Sequence, residues 1–132
     1  MTLSRHTEKV SDPANWSAGN WLEHGRNCED AGRFGDAEQA YHEALARDQA
    51  TAEHHYRLGC VLRKTSRISE AAESFRRAAE LDVHSARSWT NLGAALDDLG
   101  RRDEAADMYG RAIRAGGDVW QAHNNLGALY AA

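Results

Sequence analysis

Small and apolar residues return along this chain at a single interval, with polar stretches of constant length between them. Gly25, Gly59, Gly93 and Gly127 stand 34 residues apart, and Ala37, Ala71 and Ala105 keep the same step. So do Tyr41, Phe75 and Tyr109, and then Ala44, Ala78 and Ala112, each set at a constant offset from its glycine. Four ladders sharing one spacing describe a repeated supersecondary unit rather than four coincidences. The apolar positions and the breaks between them predict first helices near 18–31, 52–65, 86–99 and 120–131, and second helices near 36–47, 70–81 and 104–114.

Each ladder has a packing role. A glycine on the face where two helices meet lets their backbones approach closely, and Ala37, Ala71 and Ala105 supply the matching small side chain on the second helix. Tyr41, Phe75 and Tyr109 fill the space beside them. Leu58, Leu92 and Leu126, each directly before its glycine, complete an apolar seam, whereas His24 takes that place in the first unit and makes it the most degenerate. Ser17, Thr51 and Ser85 are placed to cap the first helices, and Gly35, Ser69 and Asp103 stand where the second helices are expected to begin. Asp36, Glu70 and Glu104 then put negative charge in the first turn of each second helix. Gly32, Ser66 and Gly100 suit the left-handed residue that closes a helix, and these breaks exclude a continuous coiled coil. Asp12-Pro13 offers a cap and a first helical residue, so the opening helix is expected to start early.

The period of 34 with an L-G step, a downstream alanine, an aromatic and a second alanine resembles the tetratricopeptide repeat family over Ser17 to Ala132. The resemblance implies an all-α, right-handed superhelical solenoid of antiparallel helix pairs, three repeats plus one additional helix. Its divisions would be a polar N-terminal segment at 1–16 and a repeat domain at 17–132, with repeats 18–51, 52–85 and 86–119 and a half repeat 120–132.

Composition narrows the partners. The 132 residues carry a formal net charge of −4, which gives no bulk attraction to nucleic acid or an anionic membrane. No apolar run reaches the length of a spanning helix. The N-terminal stretch lacks the apolar core of a signal peptide, so a cytoplasmic location is expected. Cys28 falls on the buried face of the first unit and Cys60 on another face of the second, an arrangement that disfavours a disulfide. The seven histidines are the main temptation for a metal. His54 and His55 are adjacent, point about 100° apart on a helix, and cannot readily share an ion. His55 and His123 stand where Trp21 and Trp89 stand in the other repeats, which marks them as packing substitutes. With no phosphate loop, HExxH or paired CxxC motif in the sequence, neither a cofactor nor a metal is expected and no catalysis is assigned.

Function is therefore expected from a surface. The resemblance implies a concave groove lined by first helices, holding a peptide or partner segment. The groove positions carried over include Arg26 from the first repeat, Tyr56, Arg57, Cys60 and Arg63 from the second, Arg87 and Asn91 from the third and Asn125 from the fourth. The centre of that set is basic, and Arg57 with Arg87 suits an acidic peptide because guanidinium pairs carboxylate in a bidentate fork. One branch of the family grips chaperone tails with Lys, Asn, Asn, Lys and Arg. The corresponding residues here are Leu22, Arg26, Arg57, Arg87 and Asn91, a departure that argues against that ligand. Asn91 and Asn125 also fall on the asparagine ladder of O-linked N-acetylglucosamine transferase arrays, interrupted here by Arg57 and Glu23. An amide donates and accepts at once and so reads peptide backbone.

The half repeat leaves Leu126 and Tyr130 without the second helix that normally covers them, and exposed apolar faces mark interfaces. Three readings follow. The chain is a protein-binding scaffold, the N-terminal targeting module of a longer enzyme such as a glycosyltransferase, or a module that forms homo-oligomers through Leu126 and Tyr130.

Overall fold

A computed structural model describes residues 12–116 and 120–131. Among these residues the regular elements are seven α-helices and one short 3-10 turn, with no strand. The helices are α1 (Ala18–Asp30), α2 (Phe34–Arg47), α3 (Ala52–Lys64), α4 (Ile68–Leu81), α5 (Ala86–Asp98), α6 (Arg102–Ala115) and α7 (Trp120–Ala131). They form an all-α helical repeat that falls into two compact units divided between Gln49 and Ala50.

In the first unit α1 packs on α2. The ring of Tyr41 lies where a side chain on Gly25 would otherwise sit, so the close approach depends on a missing Cβ. Ala37, Ala40, Tyr41, Ala44 and Cys28 form the buried seam. Tyr41 directs its hydroxyl to Glu29 Oε1 at 2.6 Å, which satisfies the polar tip of a ring that is otherwise buried. Trp16, Trp21 and His24 meet edge to face at one end of α1. Arg47 covers Trp21 and donates to the Trp16 carbonyl at 2.9 Å.

In the second unit α3 packs on α4, α4 on α5, α5 on α6 and α6 on α7. The glycine arrangement repeats: a Cβ on Gly59 would lie 2.7 Å from Phe75, and one on Gly93 2.6 Å from Tyr109. Phe75, Leu92, Leu96, Tyr109 and Val61 are the largest fully buried side chains of this unit.

The structure departs from expectation at three kinds of helix end. The second helices begin at Phe34, Ile68 and Arg102, two residues earlier than predicted, and their caps are Arg33, Arg67 and Arg101 rather than Gly35, Ser69 and Asp103. Each of these arginines closes the preceding helix, with its N–H on the carbonyl of Cys28, Leu62 or Leu96 at 2.8 to 2.9 Å. Gly32, Ser66 and Gly100 before them adopt the left-handed conformation at φ 76°, 66° and 79°, completing a Schellman closure. One residue thus ends a helix and starts the next, leaving no place for a separate cap. Its guanidinium instead grips the acid three residues on: Arg33 on Asp36, Arg67 on Glu70 and Arg101 on Glu104. Thr51 makes no side-chain cap bond, while Ser17 and Ser85 do. Asp12-Pro13 opens only the 3-10 turn Pro13–Asn15, because Trp16 is extended and α1 starts afresh from the reciprocal Ser17–Asn20 capping box. The expectations for residues 1–11, 117–119 and 132 lie outside the described residues.

Candidate functional site

The outward residues of α3 and α5 bring most of the groove candidates together, all within the second unit. Residues one period apart occupy the same place on successive first helices, so Glu53 and Arg87 are neighbours, as are Arg57 and Asn91. Glu53, in the first turn of α3, receives Arg57 Nε at 2.6 Å across one helical turn and also receives Arg87 Nη2 from α5. The Arg87 guanidinium lies over the Tyr56 ring, 4.0 Å from its centroid, a favourable placement for a cation on a π face. Asn91 Nδ2 donates to the Arg87 carbonyl at 2.8 Å and to the Tyr56 hydroxyl at 3.4 Å. Tyr56, Arg57, Arg87 and Asn91 therefore form one connected group, with Glu53 at its centre.

Electrostatics follow from this contact set. Burial works to raise the Glu53 carboxyl, but the hydrogen bond from Arg57 and the charge of Arg87 outweigh it and hold the group below its ordinary value. Burial pushes the Tyr56 hydroxyl up to about 12, with Cys60 beside it adding to the rise. Tyr56 stays a neutral donor and acceptor at physiological pH.

Next to this group lies a cleft of about 380 Å³ lined by Cys60, Arg63, Lys64, Ile68, Phe75, Asn91 and Asp98. Arg63 pairs with Asp98 on α5 at 3.1 Å. The basic centre expected from the sequence is thus largely paired with acids of the same unit: Arg57 and Arg87 with Glu53, and Arg63 with Asp98. Glu53 was not among the expected site residues. Its signal was nonetheless in the chain, since it stands four residues before Arg57 and one full period before Arg87.

The remaining candidates stand on α1 and α7. Arg26 is exposed on α1 in the first unit, beside a shallow depression lined by Leu22, Glu23, Asn27 and Asp30. Asn125 on α7 is half-buried and hydrogen-bonded to Tyr109. The Tyr109 hydroxyl is itself raised by burial and by the charge of Asp97. Leu126 is half-buried and Tyr130 is 77% exposed. With Leu129, both line a cleft of about 490 Å³ between α6 and α7.

The histidine expectations need correction. His123 is exposed rather than packed in the place of Trp89, because among the described residues α7 packs on α6 and touches α5 lightly. His54 is the buried one, in the position that Ser88 and Ala122 occupy in the following repeats. Among the described residues no three of His, Cys, Asp and Glu gather closely enough to hold a metal ion. Neither Cys28 nor Cys60 forms a disulfide among the described residues. No helix among the described residues is long and apolar enough to cross a membrane.

Comparison with known proteins agrees with this architecture. A family model described as tetratricopeptide repeat matches residues 22–86 and 90–132. The chain is similar to the crystal structure of MamA, with a TM-score of 0.85 and 24% identity over 97% of this chain and 72% of that one. It is also similar to the first repeat domain of Spaghetti (RPAP3) bound to an HSP90 peptide, with a TM-score of 0.82 and 18% identity over 86% and 90% of the two chains. The second such domain of human RPAP3, solved with an HSP70 peptide, gives a TM-score of 0.79 and 21% identity over 83% and 92%. Likenesses at these identities establish the fold. No curated protein matches the chain.

Proposed function

Since the chain belongs to the tetratricopeptide repeat family, we propose that it is a non-catalytic interaction scaffold that holds an extended segment of a partner protein against the outward face of α3 and α5. The observation that carries this reading is the connected group of Tyr56, Arg57, Arg87 and Asn91 beside the 380 Å³ cleft. It combines a half-buried aromatic surface, two guanidiniums and an amide whose oxygen remains for a backbone N–H. Two structural neighbours are bound to acidic chaperone peptides. Their ligands support peptide capture as a class, while the departures from the clamp at Leu22, Arg26 and Arg57 argue against the same tails here. An acidic segment remains the ligand best matched to Arg57 and Arg87, with Cys60 and Arg63 flanking it and Asn125 as an outlying contact. Two cysteines outside any disulfide fit a reducing cytoplasm.

Selection of a displayed random peptide library on the native protein tests this reading. Peptides recovered in this way are expected to bind at least about tenfold more weakly to the Tyr56→Ala/Asn91→Ala double variant. Equal binding to both would remove the site from this face.

A second reading rests on the exposed Trp120 and Tyr130 and on the half-buried Leu126 beside the cleft between α6 and α7. This face would pair two copies of the chain. Light scattering across a concentration series should then show a dimer that Leu126→Asp/Tyr130→Asp returns to monomer, and a monomer throughout would eliminate it.

A further inference from the structure

Glu53 on α3 holds two guanidiniums at once, one from its own helix and one from α5. Its two oxygens are shared between helices: Oε2 receives Arg57 Nε from α3 and Oε1 receives Arg87 Nη2 from α5. The ring of Tyr56 lies under the Arg87 guanidinium and fixes its plane. We propose that Arg57, Arg87 and Tyr56 form a carboxylate seat that Glu53 fills from within the chain, so that a partner's carboxylate enters only by displacing it. This inference rests on the peptide-binding reading above and names what sets its specificity.

Three observations support displacement over a fixed structural pair. The Arg87 side chain is half exposed and that of Glu53 about a third, 50% and 30%, so the seat is open to solvent. Exposed pairs of this kind contribute little to stability, and exchanging one carboxylate for another preserves the charge-assisted hydrogen bonds. The two guanidiniums come from different helices, Arg57 from α3 and Arg87 from α5, so the seat offers a carboxylate donors from both sides. Glu53 then acts as a built-in competitor: it excludes weakly acidic or neutral segments from the seat and admits those whose acidity outweighs its own proximity.

The test uses the full chain and a labelled acidic peptide, GSEEGSEEG, with GSQQGSQQG as its uncharged counterpart, in fluorescence anisotropy at low salt. Glu53→Gln is expected to bind the acidic peptide about tenfold more tightly than the native chain, because glutamine cannot neutralise either arginine. The uncharged peptide should show no gain. Adding Arg57→Ala/Arg87→Ala to Glu53→Gln should abolish the increase. Glu53→Ala should reproduce the gain, and circular dichroism of both variants establishes that the fold is retained. Unchanged or weaker binding by both Glu53 variants overturns the proposal, as does a gain that survives loss of the two arginines. The Tyr56/Asn91 experiment leaves Glu53 in place and reads binding of any selected peptide, so displacement of Glu53 can fail while peptide binding on this face stands.

Discussion

Gly93 and Gly127 occupy the same place in successive repeats, yet their surroundings differ completely. A Cβ on Gly93 would lie 2.6 Å from the Tyr109 ring, whereas one on Gly127 would meet nothing within 4 Å. The preceding leucine behaves the same way: Leu92 is fully buried and Leu126 only half-buried. Trp89 is buried while His123, one period later, is exposed. The difference lies in the neighbours, since α5 packs between α4 and α6 while α7 has α6 and a light contact with α5. The repeat motif therefore encodes one half of a contact, and its value depends on a second helix arriving with the other half.

Substitutions at matched positions can break this comparison. Leu92→Ala should cost about 2–5 kcal/mol through lost burial and the cavity left behind, and Leu126→Ala roughly 1 kcal/mol or less because its site is already open. Urea midpoints at constant m-value measure both, and equal losses would show that α7 is as firmly packed as α5. Gly93→Ala should lose about 1–3 kcal/mol by overpacking against Tyr109, despite alanine's better helix propensity. Gly127→Ala should instead gain about 0.5–1 kcal/mol, the propensity term alone. The opposite signs are the sharpest form of the comparison, and thermal melts read them directly.

Smaller effects separate the helix starts and the site. Ser85→Ala should lose about 1 kcal/mol with its cap bond, and Thr51→Ala, which has no side-chain cap bond to lose, should cost less. Tyr56 gives a weaker signal at alkaline pH. Its folded pKa of about 12 exceeds the ordinary 10.0, so the unfolded chain loses this proton first as pH rises. The associated stability is complete below about 10 and is lost as pH climbs through about 12. Tyr56→Phe should flatten the slope of the urea midpoint in that window, and an unaltered slope would place the effect on other groups.

Much of the architecture was legible because packing constraints recur. The glycine, alanine and aromatic ladders each name a residue size demanded by close helix contact, and all three complete pairs place the ring of Tyr41, Phe75 or Tyr109 over its glycine. The left-handed residues Gly32, Ser66 and Gly100 were legible for the same local reason. The role of Arg33, Arg67 and Arg101 was missed because arginine has no capping side chain of the usual kind. Only the hydrogen bonds that close one helix reveal that the same residue opens the next. At the site, the residue types were readable as a basic group, but their pairing was not: Glu53 takes both Arg57 and Arg87, and Asp98 takes Arg63.

By itself the sequence determined the period, the helix count and the residues that let paired helices touch, because these depend on local spacing and side-chain volume. The tertiary structure decided which copies of the motif are covered and which charges are already partnered. Both outcomes depend on side chains from different helices meeting in space, and a one-dimensional repeat specifies the opportunity for such meetings without specifying which groups pair.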